Sequence, residues 1–310
     1  MRRESFNGFR VCRLALATAY AMAYAGSAGA QPSESTTKVV MLGTGNPGID
    51  PDRSGPATAI VVNDVAYLVD MGPGVVRRAK AAMTSSGLAA LDPVKLRVVF
   101  VTHLHSDHTV GYADLIFTPW TAGRRVPLEV YGPKGLKSMT EHIEAAYRVD
   151  IETRTNPHGN QREFPVGHTV NAHEIRPGVI YQDANVTVTA FATRHAMESY
   201  GYRFDTRDRH IVISGDTNPT QATIDACKRC DVLIHEAITP AWLAARPARF
   251  QEFAALYHTS TPQLAELARD ANPSLLILYH YNGLSREEVV SDMGTRYAGR
   301  FVVARDLDVY

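Results

Sequence analysis

The segment Thr102-His103-Leu104-His105-Ser106-Asp107-His108 constrains this chain more than any other. It follows directly on an apolar, β-prone run at 96–101. Four side chains of metal-ligating type fall within six residues. Successive residues of an extended segment point to opposite sides, so His103 and His105 share one side. The chain then turns, and Asp107 and His108 can face a second point nearby. Packing gives no reason for two histidines and an Asp-His pair at this spacing, whereas clustered His and carboxylate side chains suit zinc. Such a loop needs a rigid support, because ligands on strand ends are placed more finely than ligands on free loops.

Three more ligand-type residues stand where a strand is expected to end. His195 follows a run at 186–193, Asp216 follows 211–214, and His280 follows 275–279. Taken singly, either histidine reads as a solvated loop residue, and Asp216 before Thr217 reads as a turn or helix cap. The repeated order of strand and then ligand is what joins them to the His103–His108 cluster.

The remaining pattern predicts strands at 38–43, 57–62, 66–69, 128–131, 200–204, 232–234 and 301–304. Helices are expected at 75–83, 108–117, 135–147, 220–227, 261–269 and 286–296. Pro262 suits the start of its helix, where a missing N–H does no harm. Residues 150–185 are polar, with strand-like pieces and no clear period. Strands lead in both halves with helices between them. This predicts an α/β layered sandwich, one domain at 31–310 made of two similar halves.

Residues 1–30 differ from the rest. Arg2, Arg3, Arg10 and Arg13 precede an apolar, alanine-rich stretch too short to span a bilayer, and Ala28-Gly29-Ala30 offers a cleavage site. The segment reads as a secretory signal peptide, which predicts export, to the periplasm in a double-membraned cell, and no membrane segment in the mature form. Removing residues 1–30 leaves 28 basic and 31 acidic residues, a net charge of −3. No basic stripe is present to grip a polyanion, so a nucleic-acid partner is not expected. Cys227 and Cys230 form a C-x-x-C, read as two small residues at a helix end or a local disulfide rather than a catalytic pair.

The H-x-H-x-D-H segment resembles the signature of the metallo-β-lactamase superfamily. Gly43-Thr44-Gly45-Asn46-Pro47, Leu68-Val69-Asp70-Met71-Gly72, Ser199–Phe204, Ser214-Gly215-Asp216-Thr217, His235-Glu236-Ala237 and His258-Thr259-Ser260-Thr261 extend the likeness to the ribonuclease Z-like and arylsulfatase-like branch. The likeness runs from about residue 38 to 304, and seven of the twelve histidines, at 103, 105, 108, 195, 235, 258 and 280, fall at its motif positions. It implies a four-layer αββα sandwich and two divalent cations, zinc first, with manganese or iron(II) also compatible. His103, His105 and His195 would bind one cation, Asp107, His108 and His280 the other, and Asp216 would bridge them. Two cations roughly 3.5–4 Å apart can hold a hydroxide at neutral pH. Asp107 would orient or deprotonate the water, and His258, positioned by Glu236 or His235, would protonate the leaving group. Asp70 would hold the ligand loop. Dimers are common in this branch, so a homodimer is compatible.

Ribonuclease Z carries a long basic arm for transfer RNA between the segments matched here by Phe204 and Ile213. Only residues 205–212 lie between them. Trp120-Thr121-Ala122-Gly123-Arg124 instead resembles the arylsulfatase-like hydrolases, with Trp120, Trp242 and Tyr281 as candidate pocket aromatics. The expected activity is hydrolysis of a small anionic ester, either a phosphodiester or a sulfate ester. A lactonase or β-lactamase is the alternative, though β-lactamases of this superfamily typically lack a bridging Asp. A ribonuclease Z-type endonuclease ranks lower. So does a di-iron redox protein, which would carry a carboxylate in place of His105.

Overall fold

Runs of apolar residues with both faces greasy build the framework. In β1 (Thr37–Gly43), Val39 and Met41 turn to one side, Val40 and Leu42 to the other, and all four are fully buried. A strand apolar on both faces needs cover on both. The computed structural model describes residues 36–310, which fall in one compact unit. The leader read at 1–30 lies outside the described residues.

Among the described residues, β1, β2 (Ala57–Val62), β3 (Val65–Val69), β4 (Val98–Phe100), β5 (Leu128–Gly132) and β6 (Val170–Glu174) form one sheet in that order. β7 (Gly178–Gln182), β8 (Val186–Ala192), β9 (Tyr200–Thr206), β10 (His210–Ile213), β11 (Val232–Ile238), β12 (Leu275–Asn282) and β13 (Phe301–Val303) form the second. Each sheet begins as an antiparallel meander and continues with parallel strands, the change falling at β3–β4 and at β10–β11. The two halves are therefore alike in plan.

The sheets face one another across a dry core. Met41, Ile60, Tyr67 and Phe100 meet Val188, Phe204, Ile213 and Ile277, with Phe100 and Phe204 edge to face at 5.4 Å. Helices cover both outer faces. Val76, Ala79 and Leu115 pack on the first sheet from helices Val75–Ser86 and Tyr112–Thr121. Cys227, Leu264 and Ala268 pack on the second from helices Gln221–Cys227 and Thr261–Ala271. The result is the four-layer αββα sandwich. Residues 307–310 return along β1, with Val39 N donating to Tyr310 O (2.9 Å) and Met41 N to Asp308 O (3.0 Å). That pairing closes an edge that would otherwise be open to another chain.

Several expectations change in detail. The helix expected at 108–117 begins at Tyr112, because residues 106–109 make a separate turn that carries Asp107 and His108. The polar stretch 150–185 contains the end of a helix, Arg148–Thr155, as well as β6 and β7. Two helices between β11 and β12, Pro240–Ala244 and Ala248–Tyr257, were not anticipated. The signal was present: Thr239 caps the first by accepting from Trp242 N, and Pro240 opens it.

Two of the three candidate pocket aromatics belong to the interior. Trp120 is fully buried, and its Nε1 donates to Phe164 O at 3.0 Å. Arg124, in the same segment, is buried with its guanidinium donating to the carbonyls of Leu115 (2.9 Å), Ile116 (2.7 Å) and Gly167 (3.1 Å). This Trp–Arg segment clamps a helix end and a loop, and that accounts for it without a substrate. Tyr281 is buried too, with Arg53 stacked on its ring at 3.9 Å. Cys227 and Cys230 form a buried disulfide at the end of their helix.

Candidate metal centre

The strand ends place the ligand-type residues at one rim of the sandwich. His103 and His105 follow β4, His195 follows β8, Asp216 follows β10, and His280 lies near the end of β12. Two cross-sheet bonds hold the rim together: Tyr200 N donates to Thr102 O (2.9 Å), and Tyr202 Oη to Val101 O (2.6 Å). Gly215 permits a close approach. Its φ is +64°, and a Cβ there would lie 2.8 Å from the Thr102 Cβ, so no other residue fits without displacing Thr102.

Asp70, just after β3, organises the ligand loop. One carboxylate oxygen accepts from Thr102 N (2.7 Å), and the other from Thr102 Oγ1 (2.9 Å) and His108 Nδ1 (2.8 Å). The bond to Nδ1 leaves His108 Nε2 to face the site. Gly72 lets the backbone after Asp70 pass under the loop, since a Cβ there would meet Asp107 O at 2.5 Å.

Two groups of ligand atoms result. His105 Nδ1 lies 2.9 Å from His103 Nε2 and 3.1 Å from His195 Nε2. Asp107, His108 and His280 form the second group, with His280 Nε2 3.1 Å from Asp107 Oδ2. Asp216 stands between the groups. Its Oδ1 is 3.5 Å from both His108 Nε2 and His280 Nδ1, and it also groups with His103 and with His195. His280 takes a left-handed φ of +46°, a conformation costly for a histidine, and is steadied by its N–H bond to Thr44 O (3.0 Å).

The residues fit a pair of cations. His108 Nε2, His280 Nδ1 and Asp216 Oδ1 are buried without a hydrogen-bond partner and converge on one another. Buried polar atoms left so are costly, and a shared cation would satisfy all three. The protonation states agree. Burial holds His103 well below its usual range, lowers His105, and pushes His195 down to about 4, so these imidazoles are neutral donors. Burial alone would raise Asp107 and Asp216, but the surrounding imidazoles overcome it and keep both carboxylates ionised. His108 is the exception: burial opposes its charge, yet Asp70 and Asp216 hold its proton well above the usual range. A cation arriving there has a proton to displace.

His258 sits at the edge, grouped with His195 and Asp216. Its Nδ1 lies 2.9 Å from each oxygen of Glu236, which also accepts from Thr217 N at 2.7 Å. Burial works against a charged His258, but Glu236, with Asp216 and Asp107, pushes it up to about 9. Burial raises Glu236 as well, so the pair keeps one proton between them. His235 does not share this work. It is fully buried, bonds through Nδ1 to Glu236 O (2.9 Å), and burial drives it down to about 4. Of the two candidate partners for His258, Glu236 makes the contact.

Above these residues opens a cleft of about 650 Å³. Trp242 lines it, as expected; Phe250, Phe253 and Asn46 line it without having been anticipated. The spacing of Phe250, Phe253, Ala254 and Tyr257 is that of one helix face, and would have placed the phenylalanines together.

The description "beta-lactamase superfamily domain" matches residues 66–281. A ribonuclease Z of Mycobacterium sp. (strain KMS) is 35% identical over 250 residues, covering 79% of this chain and 84% of that protein. Among solved structures, the metallo-β-lactamase fold protein YhfI from Bacillus subtilis matches with a TM-score of 0.68 at 17% identity, over 88% of this chain and 98% of that one. The short form of human tRNase Z matches at 0.64 and 22% identity, over 88% and 98%. At those identities the two structures speak for the fold alone.

If Asp70 holds the loop in its ligating form, Asp70→Asn weakens cation binding by about 10- to 100-fold while the fold persists. Calorimetric titration with zinc checks this, and an unchanged affinity would remove Asp70 from the centre.

Proposed function

The chain belongs to the ribonuclease Z-like branch of the metallo-β-lactamase superfamily, and we propose that it is an exported hydrolase of small phosphodiesters. It is a metal-dependent hydrolase by family. The observation that carries the two-cation hydrolytic reading is Asp216, a carboxylate standing between two ligand groups. Two divalent cations, when bound, polarise the phosphoryl oxygens and make water a nucleophile at neutral pH. The chain's own residues do the rest. Asp107 orients the attacking water and takes its proton. His258, kept protonated by Glu236, gives a proton to the departing oxygen. The cleft admits a small substrate.

A ribonuclease reading draws on the activity named for the mycobacterial relative. Against it, β9 and β10 are joined by a turn of residues 207–209. At that place the resemblance calls for the arm that holds transfer RNA. A sulfate ester would use the same residues, and the choice of phosphorus over sulfur rests on the relative being named a ribonuclease, since the bond a ribonuclease cuts is a phosphodiester. Export rests on the leader at 1–30, and the Cys227–Cys230 disulfide suits an oxidising compartment.

With cations supplied, bis(p-nitrophenyl) phosphate should turn over well ahead of p-nitrophenyl sulfate. Asp216→Ala should lower kcat/KM at least about 10³-fold with the circular dichroism unchanged; full activity in that variant would sink the assignment. The raised pKa of His258 means the donor is present at neutral pH and lost as pH climbs through its value, so kcat/KM falls on the alkaline side. Glu236→Gln removes the carboxylate that raises it, and the alkaline limb should move to lower pH. A pH–rate profile identical in the variant would separate the pair from catalysis. Expressed with its leader in a bacterium, the exported protein should begin at Gln31 by mass spectrometry. An uncut chain confined to the cytoplasm would refute export.

A further inference from the structure

The cleft has one aromatic wall that the hydrolytic residues do not explain. Trp242 comes from helix Pro240–Ala244, and Phe250 and Phe253 from helix Ala248–Tyr257. Trp242 and Phe250 lie edge to face with centroids 5.7 Å apart, Phe250 and Phe253 are 6.2 Å apart, and Phe253 is 5.7 Å from the His258 ring. A stair of rings thus descends from the rim to the proton donor. None of the three belongs to the hydrophobic clusters that hold the layers together. Phe250 is still 37% exposed. Arg246 lies over the Trp242 ring at 4.1 Å and stiffens it.

We infer that this wall receives the leaving group of the substrate, and that the leaving group carries a planar aromatic ring. The inference rests on the phosphodiester reading above. In that reaction the oxygen of water bonds to phosphorus, and the water proton goes to Asp107. The bond from phosphorus to the leaving oxygen breaks with its electron pair, and that oxygen takes the proton of His258. The leaving oxygen must therefore lie beside His258, and whatever it carries extends along the rings that adjoin His258. Aromatic rings pair edge to face or offset at the spacings this wall already shows. An aliphatic group would gain only its area. Water alone would leave the apolar surface of Trp242, Phe250 and Phe253 wet.

Phosphonates that cannot be hydrolysed test this without turnover. Benzylphosphonate should bind the zinc-loaded protein about tenfold more tightly than ethylphosphonate by calorimetry. That ratio should fall towards one in Trp242→Ala and in Phe250→Ala. The chain has two tryptophans, and Trp120 is in the core, so p-nitrobenzylphosphonate should quench the Trp242 part of the emission, and Trp242→Phe should abolish the quenching. This fluorescence reading needs no truncated side chain in the wild-type protein. Equal affinity for the two phosphonates, or binding of the nitro compound without quenching, overturns the aromatic wall alone. Binding of neither phosphonate overturns the phosphoester reading and the wall with it.

Discussion

The Asp70 carboxylate accepts three hydrogen bonds, from Thr102 N, Thr102 Oγ1 and His108 Nδ1, and the geometry of the centre follows from them. Thr102 precedes His103 and lies two residues beyond β4, so the carboxylate ties the end of β3 to the chain just where the ligand loop leaves the sheet. Its hold on His108 sets which imidazole nitrogen faces the site. The backbone nearby permits no slack, because Gly72 and Gly215 are pressed against Asp107 O and Thr102. A loop of six residues thereby acquires the precision of the sheet beneath it.

Electrostatics and burial are matched around this support. The three histidines of the first group lie where burial keeps them neutral, and the carboxylates lie where imidazoles keep them charged. Neither setting costs a rearrangement when a cation arrives. His108 has a proton to give up. The His258–Glu236 pair is set apart by the same forces in a different balance: a buried carboxylate held against a single imidazole retains a proton that His103, His105 and His195 do not.

Much of this was legible from the chain alone, for a physical reason. Ligands that sit on strand ends come after apolar runs, and such runs are the clearest local pattern a sequence has. His103, His105, Asp107, His108, His195, Asp216 and His280 all follow one and all reach the same rim. An α/β layered sandwich was legible because strand patterns lead in both halves with helices between them, while the four-layer αββα order came from the family resemblance. What was not legible lay in segments without that pattern. Trp120 and Trp242 look alike in sequence, and only tertiary packing sends the first into the core and the second into the cleft. Likewise, adjacent His235 and Glu236 both resembled partners for His258. On a strand, neighbours face opposite sides, and one of them reaches it.

The two halves of the chain each supply part of the centre, and this bears on how the molecule comes together. His105 and His195 are 90 residues apart, and Asp107 and His280 are 173 apart. Closing loops of that length is entropically costly and belongs to slow, non-local assembly. The centre therefore does not exist until both sheets have formed and met. A cation bound there rewards only the finished sandwich, in proportion to the logarithm of its concentration over its Kd. It acts less as a guide for the folding chain than as a clasp fastened once folding is done.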